Sequence, residues 1–182
     1  APCSSAVLEY LSQYFAITLL YYNPNIAPLE EYQKREAELR RLVSQMKFTH
    51  PVELLPCQYD GQAFVQAARG LEGEPEGGKR CEACFRLRLR YAAQEAARLR
   101  FDYYTTTLSI SPMKNAPLLN QLGEEIGREF GVAHLPSDFK KKDGYKRSVQ
   151  LSKEYDLYRQ DYCGCAFSKA QRQREKEERE EV

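Results

Sequence analysis

Two close pairs of cysteines, far apart in the sequence, are the feature that most constrains this chain. Cys81 and Cys84 form a Cys-x-x-Cys pair, and Cys163 and Cys165 form a Cys-Gly-Cys pair. Thiol pairs of this kind bind a metal, bind an iron–sulfur cluster, or cycle between dithiol and disulfide. Each of these functions needs sulfur atoms that lie close together. We therefore expect the rest of the chain to act as the scaffold that joins the two pairs.

The composition predicts one soluble domain in a reducing compartment. The chain has 182 residues, of which 29% are charged, and this length suits a single domain with a substantial core. No apolar run approaches the ~18 residues of a membrane span, so we expect no membrane association. Six cysteines are too few for a disulfide scaffold, and their pairing favours metal or redox use in the cytoplasm.

Apolar residues recur along the chain with alternating strand-like and helix-like spacing. Short apolar runs predict strands at residues 16–22, 52–55, 103–108 and 132–135. Helical periodicity predicts helices that end near residue 11 and that span residues 29–46, 61–68, 81–99, 117–130 and 148–155. We therefore expect an α/β fold, a single catalytic domain over residues 1–170 with a parallel sheet flanked by helices. Residues 171–182 are expected to form a charged helical tail.

Cys81 and Cys84 lie one helical turn apart at the predicted start of a helix, so both sulfurs can point to one side. The helix dipole and the free N–H groups of the first turn stabilise thiolates. The pair therefore suits a metal or a cluster. Two buried core cysteines are the alternative.

The Cys163–Cys165 pair predicts different chemistry. A Cys-x-Cys disulfide closes a very small ring, so its geometry departs from relaxed values and it is easily reduced. Gly164 between the two cysteines gives the backbone the freedom that this ring needs. The pair is typical of a dithiol that cycles. The alternative is a structural zinc site built from all four paired thiolates, and spacing alone does not separate the two.

Several motifs occur together over nearly the whole chain. They are Ala1-Pro2-Cys3-Ser4-Ser5, Tyr22-Asn23-Pro24-Asn25-Ile26, Glu31-Tyr32-x-x-Arg35, Cys81-x-x-Cys84-Phe85-x-x-Arg88-Leu89, Ser111-Pro112-x-Lys114, Asp138-Phe139-Lys140-Lys141 and Tyr162-Cys163-Gly164-Cys165. This set resembles the cobalamin-independent epoxyqueuosine reductases (the QueH type). Proteins of this family reduce the epoxide of epoxyqueuosine at the wobble position of tRNA, which gives queuosine and water.

The resemblance implies cofactors and roles for the cysteines. It implies a [4Fe-4S] cluster with Cys81 and Cys84 among its ligands, Cys3 as a further candidate ligand, and an additional iron as a candidate second cofactor. It also implies a redox-active disulfide between Cys163 and Cys165, which favours redox use over zinc. Family members carry a strand ending in two adjacent cysteines before the Ala-Pro-Cys motif. That strand is expected to be central to the sheet and its cysteines to complete the cluster.

The resemblance also implies a fold similar to the adenine-nucleotide-hydrolase-like (HUP) layout, and partners for the reaction. The expected partners are tRNA carrying epoxyqueuosine and an unidentified electron donor. The candidates for tRNA binding, by their positions in the motifs, are Arg88, Lys114, Lys140 and Lys141. Asp138 is the candidate catalytic acid, with Lys114, Tyr145 and Tyr162 as alternatives.

Two other functions are compatible with the cysteine pairs. One is a zinc-stabilised RNA-binding module without catalysis. The other is a relative of the tRNA-thiolating ATP pyrophosphatases, which share a similar α/β layout. Enzymes of that class need a glycine-rich phosphate loop, and this sequence contains nothing like Ser-Gly-Gly-x-Asp-Ser.

Overall fold

Helices and strands alternate along the chain in the computed structural model, which describes residues 2–180. The helices are α1 (Pro2–Leu11), α2 (Leu29–Gln45), α3 (Gly61–Ala68), α4 (Lys79–Arg98), α5 (Ala116–Phe130), α6 (Gly144–Glu154) and α7 (Ala166–Glu180). The strands are β1 (Ile17–Leu20), β2 (Val52–Leu55), β3 (Tyr103–Tyr104) and β4 (Ala133–His134), and a 3₁₀ helix spans Thr107–Ile110. The order of elements is the alternation that the sequence predicts.

The four strands form two parallel pairs rather than one continuous sheet. β1 pairs with β2, so that Ile17 lies opposite Val52. β3 pairs with β4, so that Tyr103 lies opposite Ala133. The predicted α/β class with parallel strands is confirmed, whereas the likeness to the HUP layout stays a prediction. The strand that the family resemblance places at the centre of the sheet lies outside the described residues.

β3 is shorter than the predicted strand at residues 103–108 because threonine side chains redirect the chain. The side chain of Thr106 accepts a hydrogen bond from the backbone N–H of Leu108 at 3.2 Å, which caps the 3₁₀ helix. The hydroxyl of Thr105 donates to the carbonyl of Leu135 at 2.9 Å. The segment after β3 therefore turns toward the end of β4 instead of extending the strand.

Two apolar clusters fix the helices that carry the candidate site. Leu89 of α4 packs with Leu119 and Leu122 of α5, and all three side chains are almost fully buried. Val7 of α1 packs with Leu151 of α6 in a second cluster. Burying side chains of this size stabilises the fold by about 1.5–3 kcal/mol each. The N-terminal turns of α1 and α4 are thereby held in place.

The segment before α4, which is rich in glycine and glutamate, is held by a buried arginine. The guanidinium of Arg80 donates to the carbonyls of Leu71 at 3.2 Å and Glu72 at 3.0 Å, and also contacts the carbonyl of Glu74. Its central carbon lies 4.5 Å from the centroid of the Phe167 ring in α7. These contacts hold the turn before α4 against the start of α7.

The charged end of the chain is helical as far as residue 180. α7 begins at Ala166, so the predicted boundary at residues 170–171 falls inside this helix and stays a prediction. The ammonium group of Lys176 lies 2.7 Å from a carboxylate oxygen of Asp161. Within residues 2–180, no helix is both long enough and apolar enough to cross a membrane.

Candidate active site

A cavity of about 600 Å³ brings the two cysteine pairs to one place. Its wall includes β1 and β3 along their whole length, together with residues from α1 and α4. Five cysteines lie in this wall: Cys3, Cys81, Cys84, Cys163 and Cys165. Cysteines that are up to 162 positions apart in the sequence therefore share one chamber.

An apolar cluster surrounds the thiols where the two pairs meet. Cys84 and Cys165 are 8% and 5% exposed and pack in one cluster with Phe64, and the half-buried Cys163 and Phe167 pack against it. The two phenylalanine rings meet edge to face at 6.4 Å between centroids. This surround keeps bulk water away from the sulfur atoms, and it strengthens the electrostatic interactions between them.

Cys163 and Cys165 are free thiols with their sulfur atoms 3.5 Å apart. The backbone N–H of Ser168, in the first turn of α7, donates to the sulfur of Cys165 at 3.3 Å. The hydrogen bond from Cys165, aided by the charge of Lys114, holds the pKa of Cys163 well below its usual range. The same hydrogen bond raises the pKa of Cys165. The pair is thus a thiolate next to a thiol, the arrangement from which a dithiol oxidises to a disulfide.

Gly164 lets the two cysteines turn toward each other. Its φ is 121°, a conformation that residues with a side chain rarely adopt. A Cβ at this position would lie 2.8 Å from Cγ1 of Ile26 and 3.0 Å from Nη1 of Arg35. Arg35 donates to the carbonyl of Cys163 at 3.1 Å, and the N–H of Ala27 donates to the carbonyl of Gly164 at 3.0 Å. Glycine is required here by both conformation and space.

A buried charge pair lies beside the thiols. Lys114 and Glu76 are 3.2 Å apart at Nζ and Oε1, with side chains only 11% and 13% exposed. Burial lowers the pKa of Lys114, but the neighbouring Cys163 and Glu76 raise it by more, so the lysine stays protonated. The hydroxyl of Ser168 donates to the other oxygen of Glu76 at 3.0 Å. Glu76 therefore connects Lys114 to the helix that carries the dithiol.

Glu76 and Ser168 were not predicted as site residues from the sequence. Glu76 lies in the glycine- and glutamate-rich segment, where an acid ordinarily faces solvent. Ser168 has no feature that separates it from other serines near a helix start. Only the fold, through the contacts of Arg80, places Glu76 against the cysteines.

Cys81 and Cys84 occupy the start of α4, as expected. The backbone N–H of Gly77 donates to the sulfur of Cys81 at 3.2 Å. Burial raises the pKa of the Cys84 thiol, and the charge of Arg88 opposes this. Among residues 2–180, no group of three or more histidine, cysteine or acidic side chains is arranged to hold a metal ion. The described residues thus offer a pair of thiols and complete neither a four-thiolate zinc site nor a cluster cage.

The other predicted residues fall into two groups. Arg88 lines the cavity, where its guanidinium donates to Oδ1 of Asn23 at 2.6 Å, and Cys3 lines it from α1. Tyr145 and Tyr162 also contribute to the wall.

The acid–lysine motif lies elsewhere. Asp138 binds the ammonium groups of Lys140 at 2.6 Å and Lys141 at 3.6 Å. Among the described residues, the cavity wall includes none of these three. The structure therefore brings Lys114 to the cysteines and does not bring Asp138.

Comparison with known proteins agrees with the motifs. The sequence model of the family "Epoxyqueuosine reductase QueH" matches residues 1–171. A protein of that name from Streptococcus pyogenes is 45% identical over 170 residues, which cover 92% of this chain and 67% of the relative. A relative of the same name from Staphylococcus epidermidis is 41% identical, over 92% of this chain and 72% of the relative. One from Thermotoga maritima is 34% identical, over 93% of this chain and 88% of the relative. Their shared name confirms the predicted enzyme class, an oxidoreductase, and the chain belongs to the epoxyqueuosine reductase QueH family.

Proposed function

We propose that this chain reduces the epoxide of epoxyqueuosine in tRNA to the alkene of queuosine, with Cys163 and Cys165 as the two-electron donor. The observation that carries the proposal is the 3.5 Å separation of two free thiol sulfurs in a cavity of a chain from a reductase family. A tRNA substrate places the reaction in the cytoplasm.

The dithiol supplies what the reaction consumes. Removal of the epoxide oxygen breaks two C–O bonds, forms a C=C bond and releases water, which takes two electrons and two protons. Oxidation of the Cys163 thiolate and the Cys165 thiol to a disulfide releases two electrons and one proton, and the protonated Lys114 supplies the second proton. One dithiol therefore balances one epoxide. A separate, unidentified electron donor must then reduce the disulfide back to the two thiols.

Lys114 is the proton donor that the geometry favours. Its ammonium group is protonated, buried in the cavity wall and close enough to Cys163 to shift the pKa of the thiol. A proton held at Nζ can pass to the departing epoxide oxygen, which would be a poor leaving group without it. Asp138 stays a prediction for the same role, although both of its oxygens bind lysines.

The cluster that the family resemblance implies enters the proposal only through its ligands. We propose Cys81 and Cys84 as two of them, because they are paired in the first turns of a helix and face the same cavity as the dithiol. A [4Fe-4S] cluster usually needs four thiolates, and the described residues supply two in this arrangement. No step of the mechanism is therefore assigned to a cluster or to an additional iron.

The cavity wall also supports contact with tRNA. Arg88 lies in the wall with one guanidinium nitrogen on Asn23, and it is the proposed phosphate-binding residue on α4, the helix that carries Cys81 and Cys84. Lys114 stays a prediction for tRNA contact, with a side chain that is only 11% exposed and paired with Glu76. Lys140 and Lys141 remain candidates on a separate part of the surface, where Asp138 offsets part of their charge.

A single-turnover experiment tests the proposal. Protein reduced in advance and freed of reductant is mixed without oxygen with tRNA carrying epoxyqueuosine. Each queuosine formed should be matched by the loss of one pair of alkylatable thiols, located by mass spectrometry at Cys163 and Cys165. Queuosine formed while both thiols stay alkylatable would disprove the role of the dithiol. Cys57→Ser is the control, because Cys57 is not in the described cavity wall.

A further inference from the structure

Three buried polar atoms at the carboxyl end of β1 lack hydrogen-bond partners among the described residues. They are Oη of Tyr21, Oδ1 of Asn25 and Nη2 of Arg35. All three residues line the cavity, and Asn25 and Arg35 are only 4% and 5% exposed. Buried polar groups in folded proteins are nearly always paired, because an unpaired one costs stability. Three of them in one part of a cavity wall indicate a ligand that supplies the missing partners.

The charge of Arg35 is already balanced, which limits the kind of ligand. Its Nε lies 2.7 Å from a carboxylate oxygen of Glu31, whose side chain is 14% exposed. The hydroxyl of Tyr158 donates to the same carboxylate at 3.1 Å. A phosphate placed here would face Glu31 at short range in a region of low dielectric. The site therefore favours a neutral polar group over an anion.

The site directly adjoins the dithiol and has aromatic walls. Nη1 of Arg35 donates to the carbonyl of Cys163, so a ligand on Nη2 lies next to the Cys-Gly-Cys turn. The ring of Tyr162 lies over the same guanidinium at 5.0 Å. The rings of Tyr22 and Tyr91 are stacked at 3.9 Å between centroids, and Tyr22 lines the cavity. Flat walls next to hydrogen-bonding groups are typical of sites that receive an extruded base.

We propose that Tyr21, Asn25 and Arg35 form a subsite for the neutral edge of a guanine-type base. Such an edge carries a carbonyl oxygen next to N–H groups. Arg35 Nη2 donates to the carbonyl, Asn25 accepts from an N–H, and the hydroxyl of Tyr21 pairs with the remaining group. The inference rests on the proposed function, because the tRNA substrate carries a guanine derivative at the reacting position.

Binding measurements that need no redox chemistry test the subsite. Two anticodon stem–loop RNAs are compared by fluorescence anisotropy with the full chain, one with guanine at the wobble position and one abasic there. The wild type should bind the guanine RNA about tenfold more tightly, since two or three hydrogen bonds are gained. Tyr21→Phe and Asn25→Ala should each reduce this ratio about threefold and leave the abasic affinity unchanged.

Tyr59→Phe is the matched control, because its hydroxyl has a partner, the carbonyl of Ile26 at 2.7 Å. This control should lower the melting temperature and keep the preference for guanine, whereas Tyr21→Phe should not lower the melting temperature. Equal binding of both RNAs by the wild type would overturn the subsite. A Tyr21→Phe variant with an unchanged ratio of the two affinities would overturn it as well, because the three atoms would then bind water only. A wild-type protein that does not reduce the epoxide but still prefers the guanine RNA would refute the proposed function. The proposed subsite would not be affected by that result.

Discussion

The ammonium group of Lys114 lies 3.2 Å from Oε1 of Glu76, and the two side chains are only 11% and 13% exposed. The two residues come from segments on either side of α4 and β3, 38 positions apart. Their pairing keeps a positive charge beside Cys163 within an apolar surround. A charge buried without its partner is costly, so this pair links the stability of the fold to the chemistry of the dithiol.

Replacing Glu76 with glutamine should destabilise the protein strongly. Glu76→Gln keeps the size of the side chain but removes the carboxylate that is paired with the buried Lys114 ammonium group, at a cost of about 3 kcal/mol in the free energy of unfolding. Urea denaturation measures this. Glu125→Gln is the control, because its partner Arg86 is 3.5 Å away and both side chains are more than 40% exposed, so the loss should stay below about 1 kcal/mol. Equal losses for the two variants would contradict the importance of the buried pair.

Replacing Gly164 with alanine should impair both the fold and the dithiol. The variant combines a strained φ of 121° with a Cβ that meets Ile26 at 2.8 Å, so it should lose more than about 2 kcal/mol of stability. Gly70→Ala is the matched control, since its φ of 78° is also positive but nothing lies within 4 Å of the added carbon. That variant should lose only about 1 kcal/mol. Thermal melts compare the two, and an equal loss would mean that Ile26 and Arg35 do not restrict the turn.

Replacing Cys81 or Cys84 tests the proposed ligand pair. In protein purified without oxygen, Cys81→Ser and Cys84→Ser should each lower the iron and sulfide content and weaken the brown colour, while Cys163→Ser should leave both unchanged. Elemental analysis measures iron and zinc together. Iron content equal to that of the wild type would reject ligation by this pair, and stoichiometric zinc in place of iron would favour the zinc-stabilised alternative.

The sequence predicts the elements whose signals are local. α2 was expected at residues 29–46 and spans Leu29–Gln45, because its apolar face repeats at helical spacing over its whole length. α6 instead begins at Gly144, before the expected residue 148. Arg147 in its first turn binds Glu9 of α1 at 2.6 Å, and Leu151 packs in the α1 cluster. Contacts with a helix more than 130 positions away set this boundary, and no local pattern records them.

The residues of the candidate site also divide into those with a local sequence signal and those that depend on distant contacts. The paired cysteines were recognisable because their spacing is chemical in origin, and Lys114 and Arg88 because they lie in family motifs. Glu76 and Ser168 gain their roles only from contacts with distant residues, Glu76 with Lys114 across 38 positions and with Ser168 across 92. Arg35 lies in a motif, but its unpaired nitrogen is visible only when its neighbours are known. Residues that act through distant partners therefore escape a sequence analysis, even when the reacting residues do not.

His134 should make the stability of the protein dependent on pH. Both ring nitrogens are buried without a partner among the described residues, and burial lowers the pKa of His134 from 6.5. The unfolded chain therefore takes up a proton below pH 6.5 that the folded chain does not, so the free energy of unfolding falls as the pH decreases below this value. Above it, the residue contributes no pH dependence.

Urea denaturation at a series of pH values measures this effect. The wild type should lose stability between pH 7 and pH 5, and His134→Leu should lose clearly less over the same range. The difference between the two losses should be about 1 kcal/mol for each unit by which burial lowers the pKa of His134. His50→Leu is the control, because His50 is exposed and should leave the wild-type profile unchanged. A His134→Leu profile parallel to that of the wild type would mean that burial does not lower the pKa of His134.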